Sequence, residues 1–361
     1  MATVFFTGFP GFIASQIVRT AFKQELYDKV YAVVLITEKH RAEAEAECIL
    51  KEYPDKQITI IIGDITLPNL DINNDQLEEL TNKVDVVWHL AAIYDLVVPK
   101  EVAWKVNVQG TSMVNEFVSR IKNIQRYMYF STAYVAGTRE GILRETELIR
   151  PTSFKNYYEE TKFEAETLVE ELKATVPVTI IRPGIVRGHS QTGETVKFDG
   201  PYFFLNMIDR LKCFPIIPYI GQSNARLNVV PIDYITNGVV YLSTLYEAIG
   251  QTVHMTDPNP HPVQEIYRAM VLTMTGQKPK GRIPLSLARK SMSILAVRKA
   301  LGVEYETLDY LTWNASFDTR IAEQLLAGTA VQCKDFIQSM PVMVEFYNEH
   351  KNNKVFQIQI K

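Results

Sequence analysis

A glycine-rich turn near the start of the chain constrains the fold more than any other feature. An apolar run at residues 3–7 leads into the sequence Thr7-Gly8-Phe9-Pro10-Gly11-Phe12-Ile13-Ala14, and an apolar pattern of helical period follows. Glycines let the backbone approach a phosphate closely, and the start of a helix attracts negative charge. Ala14, in the third small position, suits close packing of the helix on its strand. The turn predicts a dinucleotide bound by Thr7, Gly8, Pro10, Gly11, Phe12 and Ile13.

Short β-rich runs alternate with helical patterns over the first half of the chain. The predicted strands cover residues 3–7, 29–36, 57–63, 84–90, 126–132 and 178–183. The predicted helices between them include residues 13–22, 43–53, 103–121 and 158–174. Strands joined by helical crossovers form a parallel sheet with helices on both faces. The pattern predicts an α/β protein with a Rossmann-type doubly wound parallel sheet.

The regular alternation ends after Gly188. Residues 189–224 are rich in Gly, Pro and aromatic residues and contain few strand signals, whereas residues 227–245 resume with a short strand, a turn and a helix. A last strand is predicted at residues 252–256. We therefore expect a dinucleotide-binding domain formed by residues 1–188 and 225–260. Residues 189–224 and 261–361 are expected to form a smaller, interleaved substrate-binding region.

Composition excludes several classes of protein. With 361 residues, of which 47% are hydrophobic, the chain can bury a large core. Lys and Arg number 38 against 41 Asp and Glu, without a basic and aromatic stretch, so no nucleic-acid partner is expected. The cysteines, Cys48, Cys213 and Cys333, are odd in number and far apart in the sequence. This pattern indicates a reducing compartment and no metal site. Neither a basic leader nor a long apolar run is present, which favours a cytoplasmic location.

Residues 35–37, after the second predicted strand, lack the acidic side chain that usually binds the adenosine ribose of NAD. Three basic residues follow, and two of them, Lys39 and Arg41, are candidates for binding a 2′-phosphate. This pattern favours NADP(H) over NAD(H), although NAD(H) stays an alternative. The basic residues otherwise form the solvated start of a helix.

Tyr158 and Lys162 lie four residues apart, and therefore on one face of a predicted helix. A tyrosine with its reference pKa of about 10 is a poor proton shuttle at neutral pH, but a nearby cation stabilises the phenolate and lowers that pKa. The pair is thus a candidate for general acid and base catalysis. The alternative is an ordinary surface pair.

The chain resembles the extended short-chain dehydrogenase/reductase superfamily over residues 1–260. The resemblance combines the glycine turn and the Tyr158/Lys162 pair with further motifs in the superfamily's order. These motifs are Gly63-Asp64-Ile65, His89-Leu90-Ala91-Ala92, Asn107-Val108-Gln109-Gly110-Thr111, Phe130-Ser131-Thr132-Ala133-Tyr134-Val135-Ala136-Gly137 and Arg182-Pro183-Gly184-Ile185-Val186.

The resemblance implies a role for each matching residue. It places Asp64 and Ile65 at the adenine, Ala91 and Ala92 along the cofactor path, and Pro183, Gly184, Ile185 and Val186 beside the nicotinamide. Thr132, which aligns better than Ser131 with the catalytic hydroxyl, would bind the substrate carbonyl oxygen, and Tyr158 would donate a proton to it. Lys162 would hold the nicotinamide ribose and lower the tyrosine pKa. Asn107 is either catalytic or structural.

Within the superfamily, the chain is most similar to the fatty acyl-CoA reductase and thioester reductase branch, also called male-sterility-type proteins. The similarity rests on residues 131–135, 228–234, 254–260 and 311–319. The arginine that commonly closes the second strand in that branch is missing here. The branch implies an NAD(P)-dependent oxidoreductase that reduces a fatty acyl-CoA, or an acyl chain on a carrier, to an aldehyde or alcohol.

Several alternatives to this function stay open. Residues 202–208 and 214–220 are apolar and aromatic, as an apolar substrate would require, although an ordinary core uses the same residues. The same catalytic residues would also serve a sterol-like or other lipid alcohol or ketone, or a nucleotide-sugar epimerase, and a non-catalytic NADP-sensing protein is a third possibility. Residues 285–301 mix apolar and basic side chains and fit either a peripheral membrane contact or a packed helix. The chain is expected to be a monomer or a homodimer.

Overall fold

The computed structural model describes residues 2–95 and 97–360. Its strands are β1 (Ala2–Thr7), β2 (Tyr27–Val34), β3 (Gln57–Ile62), β4 (Val86–His89), β5 (Arg126–Phe130), β6 (Gly141–Leu143), β7 (Val178–Pro183), β8 (Ile185–Arg187), β9 (Tyr219–Ile220), β10 (Val229–Pro231), β11 (Thr252–Met255), β12 (Arg282–Ile283) and β13 (Ala315–Phe317). Its α-helices are α1 (Phe12–Lys23), α2 (Lys39–Glu52), α3 (Asn74–Lys83), α4 (Lys100–Ala103), α5 (Gly110–Arg120), α6 (Tyr157–Leu172), α7 (Tyr202–Leu211), α8 (Ile232–Thr244), α9 (Val263–Thr275), α10 (Leu285–Met292), α11 (Leu295–Leu301), α12 (Thr307–Tyr310), α13 (Arg320–Leu326) and α14 (Phe336–His350).

Seven parallel strands form the central sheet in the order β3-β2-β1-β4-β5-β7-β11. The chain moves outward from β1 to β3 and then returns to the other side of β1, so the strand order reverses between β1 and β4. In such sheets ligands bind outside the carboxyl ends of the strands at this reversal point. The predicted doubly wound Rossmann-type sheet is confirmed.

Helices cover both faces of the sheet, which explains why its strands are almost continuously apolar. Successive residues of β1 point to opposite faces. Phe5 packs against Phe117 of α5, with ring centroids 4.7 Å apart. Phe6 stacks on Trp88 of β4 at 5.7 Å, in the core that contains α1 and α8. Full burial of one such side chain contributes about 1.5–3 kcal/mol to stability, and the two cores together fix the ends of the strands that carry the site.

The later part of the chain contributes to both the sheet and a second core. Helix α8 and strand β11 return to the sheet, and α13 packs against both of them. Helices α7, α9 and α14 surround a separate apolar core. Within α7, the residues proposed as substrate lining are instead buried in that core: Tyr202, Phe203, Phe204, Leu205, Met207 and Ile208. Core packing is therefore the role that the structure gives to this segment.

The predicted helix over residues 103–121 is interrupted. Helix α4 ends at Ala103, a π-helical turn covers Trp104–Gln109, and α5 begins at Gly110. A Cβ atom on Gly110 would lie 2.9 Å from Cδ1 of Ile65, so a larger residue there would require the Ile65 side chain to move. None of the helices within residues 2–95 and 97–360 is both long and apolar enough to cross a membrane.

Candidate active site

The glycine turn joins β1 to α1 at the reversal point of the sheet. Gly8 has a φ angle of +88°, and a Cβ atom there would lie 2.7 Å from the backbone nitrogen of Ala91. A Cβ atom on Gly11 would lie 2.6 Å from the carbonyl oxygen of Gly8. Both positions therefore require glycine, because a side chain would collide with backbone that cannot move independently.

The start of α1 suits a phosphate group. Gly11 occupies the N-cap, no described side chain caps the helix, and its first turn carries no carboxylate. The first backbone N–H groups of a helix lack partners within it, and the helix dipole adds positive potential there. The turn thus fits the pyrophosphate of a dinucleotide, with Gly11, Phe12 and Ile13 as the residues that would hold it.

A buried hydrogen-bond chain ties the turn to the neighbouring strand. Thr7 Oγ1 lies 2.7 Å from His89 Nδ1 and accepts the backbone N–H of Ala91 at 3.1 Å. His89 Nε2 lies 3.0 Å from Thr111 Oγ1, which itself donates to the carbonyl of Asn107 at 2.6 Å. These partners assign the proton of His89 to Nε2. Burial, aided by the charge of Lys162, lowers the His89 pKa to about 3, so the ring is neutral.

The adenosine side of the site contains a basic and an acidic residue. Arg41 Nη1 donates to Glu38 at 2.9 Å, and its Nη2 donates to the carbonyl of Pro10 at 3.3 Å. Arg41 therefore lies against the glycine turn, although it comes six residues after Leu35, the position that follows β2. Lys39 instead lies 3.7 Å from Glu43 on α2. The sequence pattern did not identify Glu38, whose carboxylate would compete with a nucleotide phosphate for the Arg41 guanidinium.

The residues assigned to the adenine lie where β3 ends. Asp64 Oδ1 accepts both the backbone N–H and the hydroxyl of Thr66, each at 2.8 Å. Ile65 packs on Gly110. The Asp64 carboxylate thereby shapes its own loop, and the loop brings Ile65 to the start of α5.

Tyr158 and Thr132 meet at the carboxyl end of β5. Thr132 caps a short 3₁₀ turn, Ala133–Ala136, by accepting the N–H of Tyr134 at 3.2 Å. Burial raises the pKa of Tyr158 to about 12. The Thr132 side chain is close enough to the Tyr158 hydroxyl to oppose part of that rise. The phenol is therefore protonated at neutral pH.

Lys162 lies on the same face of α6, one turn after Tyr158. Its ammonium donates to the Phe130 carbonyl at 2.5 Å and to the Tyr129 hydroxyl at 3.1 Å. Burial lowers the Lys162 pKa to about 7, and the negative charge of Glu166 opposes this effect. The expected lowering of the Tyr158 pKa by Lys162 is not found, because burial of the phenol dominates and the ammonium is bound to β5.

Asn107 holds the loop that follows β4. Its Oδ1 accepts the N–H of Ile93 at 2.8 Å, and its Nδ2 donates to the Ile93 carbonyl at 3.0 Å and to Thr161 Oγ1 at 2.9 Å. The whole amide is thus used to connect the loop containing Ala91 and Ala92 to helix α6. This geometry favours the structural alternative for Asn107.

Pro183, Gly184, Ile185 and Val186 continue the carboxyl end of β7 into β8. The N–H of Gly184 donates to Met255 of β11 at 3.2 Å, and that of Ile185 donates to Asn228 at 2.9 Å. Ile185 and Val186 then pair in parallel with β10. Four neighbouring strand ends therefore bring the predicted residues to one edge of the sheet: Thr7, Gly8, Ala91, Ala92, Thr132, Pro183 and Gly184.

Two residues missed by the sequence reasoning lie near Tyr158. Lys197 donates to the Tyr94 hydroxyl at 3.1 Å, and Tyr94 is close enough to influence the Tyr158 pKa. The contact joins the loop after β4 to the segment before α7. No sequence signal connects these residues, which are 103 positions apart.

Comparison with known proteins agrees with this geometry. Residues 6–239 match the male sterility protein family. Fatty acyl-CoA reductase wat from Drosophila melanogaster is 28% identical over 273 residues, which cover 66% of this chain and 53% of that protein. Aldehyde reductase lnaA from Aspergillus flavus is 24% identical over 280 residues, covering 71% of this chain and 26% of that protein. The chain thus spans about half the length of the first relative and a quarter of the second.

Solved structures confirm the fold over nearly the whole chain. The terminal R domain from the myxalamid PKS-NRPS biosynthetic pathway has a TM-score of 0.82 at 24% identity, covering 99% of this chain and 93% of that one. Together with the family match over more than half of the chain, this confirms the resemblance inferred from the motifs. The chain therefore belongs to the male sterility protein family, a branch of the extended short-chain dehydrogenases/reductases, which are NAD(P)-dependent oxidoreductases.

Proposed function

We propose that this chain is an NADPH-dependent reductase of acyl thioesters, acting on a fatty acyl-CoA or a carrier-bound acyl chain. One observation carries the proposal: Thr132 and Tyr158 lie close together at the strand edge that also holds the glycine turn, near enough for the Thr132 side chain to influence the Tyr158 pKa. The relative named as a fatty acyl-CoA reductase supports the substrate class, and the relative named as an aldehyde reductase supports carbonyl reduction in general.

The two hydroxyls suit addition of hydride to a carbonyl. The nicotinamide, when bound, supplies the hydride to the thioester carbon. Thr132 donates a hydrogen bond to the carbonyl oxygen, and Tyr158 transfers its proton to that oxygen as negative charge develops there. The C–S bond of the resulting hemithioacetal then breaks, and the hydroxyl proton leaves with the thiol, which gives an aldehyde.

The protonation state of Tyr158 agrees with the reductive direction. Because burial raises its pKa to about 12, the side chain is a phenol at neutral pH and ready to donate. Oxidation of an alcohol would require the phenolate, which is the minor form under these conditions. Lys162 would hold the nicotinamide ribose from the position that it occupies beside Phe130.

Purified protein and a substrate panel test this function. NADPH oxidation should be observed with long-chain acyl-CoA or acyl thioesters on a carrier, with an equivalent of free thiol released per turnover. Ketosteroids, simple ketones and nucleotide sugars form the comparison set. Turnover of a ketone or sugar nucleotide without any turnover of an acyl thioester would refute the proposed substrate class.

The preference for NADPH is part of the proposal and predicts an effect at Arg41. The Arg41 guanidinium contacts the glycine turn at Pro10. The R41A variant should therefore raise KM for NADPH about 10- to 100-fold, which corresponds to the binding free energy of one hydrogen bond to a charged group. KM for NADH should stay nearly constant. Steady-state kinetics with both nucleotides measures the effect, and K51A at the far end of α2 is the control. An equal loss with NADH would exclude a specific role for Arg41.

We also propose a peripheral membrane contact through α10 and α11. Leu287, Ile294 and Leu295 are 53%, 55% and 42% exposed, and Lys290 and Lys299 have no carboxylate partner in the described part of the chain. Vesicles of phosphatidylcholine with phosphatidylserine should bind the protein. K290E/K299E should weaken binding roughly thirtyfold, at about 1 kcal/mol per basic residue. The control K51E should not, and equal sedimentation of both variants would contradict the contact.

A further inference from the structure

Behind the catalytic residues lies a buried ion pair to which neither the sequence motifs nor the mechanism assigns a role. Glu166 follows Lys162 by one turn of α6 and is completely buried. Its Oε1 accepts from Arg182 Nε at 2.9 Å and from Arg182 Nη2 at 2.5 Å, and its Oε2 accepts the hydroxyl of Ser131. Ser131 immediately precedes Thr132, so this carboxylate is one residue away from the substrate-binding hydroxyl.

Further hydrogen bonds fix the Glu166–Arg182 pair in place. Arg182 also donates to the Glu147 carbonyl at 2.9 Å and lies 3.2 Å from Nε2 of His254. Burial, aided by the charge of Arg182, lowers the His254 pKa to about 3, so this ring is neutral and Nε2 accepts. Every donor and acceptor around Glu166 is thus supplied by a neighbouring strand or loop. Burial of such a charge pair costs desolvation free energy, and removing one partner leaves the other charge buried without compensation.

Glu166 is also the acidic group that favours the charged form of Lys162. The titratable groups around Lys162 and Glu166 come from three strands and their own helix: His89 of β4, Tyr129 of β5, Arg182 of β7 and, on α6, Tyr158. Burial keeps His89, Tyr129 and Tyr158 neutral, because it lowers the pKa of the first and raises the pKa of the other two. Glu166 therefore supplies the negative charge in this group.

We propose that Glu166 is a positioning residue of the active site: its buried carboxylate holds Ser131, and with it the backbone that carries Thr132, and it places a negative charge one helical turn after Lys162. Arg182 fixes the position of the Glu166 carboxylate, and its positive charge reduces the electrostatic effect of Glu166 on Lys162. The inference rests on the proposed function, because it concerns the lysine that would hold the nicotinamide ribose. The proposal adds Glu166 to Tyr158 and Lys162 as a residue of α6 that the active site requires.

The test is the pH dependence of NADPH binding, followed by nucleotide fluorescence from about pH 5.5 to pH 9, a range that contains the lowered Lys162 pKa. Affinity should fall as Lys162 loses its proton, with a midpoint near pH 7 in the unaltered protein. E166Q should move this midpoint to lower pH by about one unit or more, the usual effect of a nearby charge. E166D keeps the charge and should shift it by less than half as much.

Control variants separate this role from a general loss of structure. E170Q alters the next carboxylate on α6, which is paired with Lys173 at 2.7 Å, and should leave the midpoint unchanged. If E166Q does not fold, E166Q/R182Q leaves neither charge unpaired and should show a smaller downward shift, because loss of the Arg182 charge partly offsets loss of the Glu166 charge. Titration of the nucleotide itself is common to all variants, so only the difference between variants is interpreted.

The possible results are distinguishable. A folded E166Q protein with an unchanged midpoint would overturn the inference and leave the proposed function intact. Absence of NADPH binding by the unaltered protein would overturn the proposed function, and the inference with it. A downward shift in E166Q that is largely restored in E166D, and absent in E170Q, would support a positioning role over a merely structural one.

Discussion

The Y158F variant is expected to lose activity by roughly 10²- to 10⁴-fold in kcat, the usual contribution of a positioned general acid. The phenol lies beside Thr132, and burial keeps it protonated by raising its pKa to about 12. Phenylalanine retains the ring and removes only the proton donor. Single-turnover measurement of NADPH oxidation with an acyl thioester would show the loss, while the NADPH dissociation constant should change by less than about twofold because no contact to the nucleotide is removed.

The neighbouring tyrosine provides a matched control. Tyr157 is 44% exposed at the start of α6, and its ring lies 5.7 Å from the ammonium of Lys100. Y157F removes the same hydroxyl group from the same helix and should keep full activity. Equal activity of Y158F and the unaltered protein would remove Tyr158 from the mechanism, and equal losses in both variants would indicate a general effect on α6.

The sequence predicts the fold well because local and global signals agree. The run at residues 3–7 is apolar on both faces, and Phe5 and Phe6 indeed enter cores on opposite sides of the sheet. The π-helical turn that interrupts the helix over residues 103–121 escapes prediction, since the apolar pattern of residues 104–109 carries no signal for it. Similarly, apolar residues of α7 have the composition of a substrate pocket, but their burial against α9 and α14 depends on tertiary packing.

The candidate site is predictable only where a motif carries the chemistry. Tyr158 and Lys162 share a helical face, so their spacing is sufficient to place them on the same side of α6. The sign of the Tyr158 pKa shift is not contained in that spacing, because it follows from burial that the whole fold creates. Glu166 had an available signal, namely its position four residues after Lys162, but its ion pair with Arg182 joins a helix to a distant strand.

Replacement of Lys162 by methionine should show how much the buried ammonium of Lys162 lowers the free energy of unfolding. The folded protein holds this lysine with a pKa lowered to about 7 by burial, from the ordinary 10.5. Between these two values the unfolded chain binds the proton and the folded chain does not, so the stability of the unaltered protein rises with pH. Below pH 7 both states are protonated, and the full cost of the buried ammonium is present.

The stability of K162M lacks this pH dependence. Relative to the unaltered protein, K162M should therefore be more stable at pH 6 than at pH 10 by roughly 4 kcal/mol, at 1.36 kcal/mol per pKa unit. The pH-dependent difference is the quantity to measure, because loss of the hydrogen bonds to Phe130 and Tyr129 adds a constant term. Urea unfolding of both proteins at several pH values measures this difference in the free energy of unfolding. A constant difference from pH 6 to pH 10 would show that Lys162 titrates as an ordinary exposed lysine.

Activity completes the argument for Lys162. K162M should lose turnover while gaining relative stability at low pH. K173M removes a half-buried ammonium paired with Glu170, and it should change neither turnover nor the dependence of stability on pH between pH 6 and pH 10 appreciably. A catalytic group that destabilises the folded state is retained for function and not for folding. The opposite signs of the two effects in K162M would therefore identify Lys162 as part of the reaction machinery, even before the substrate is known.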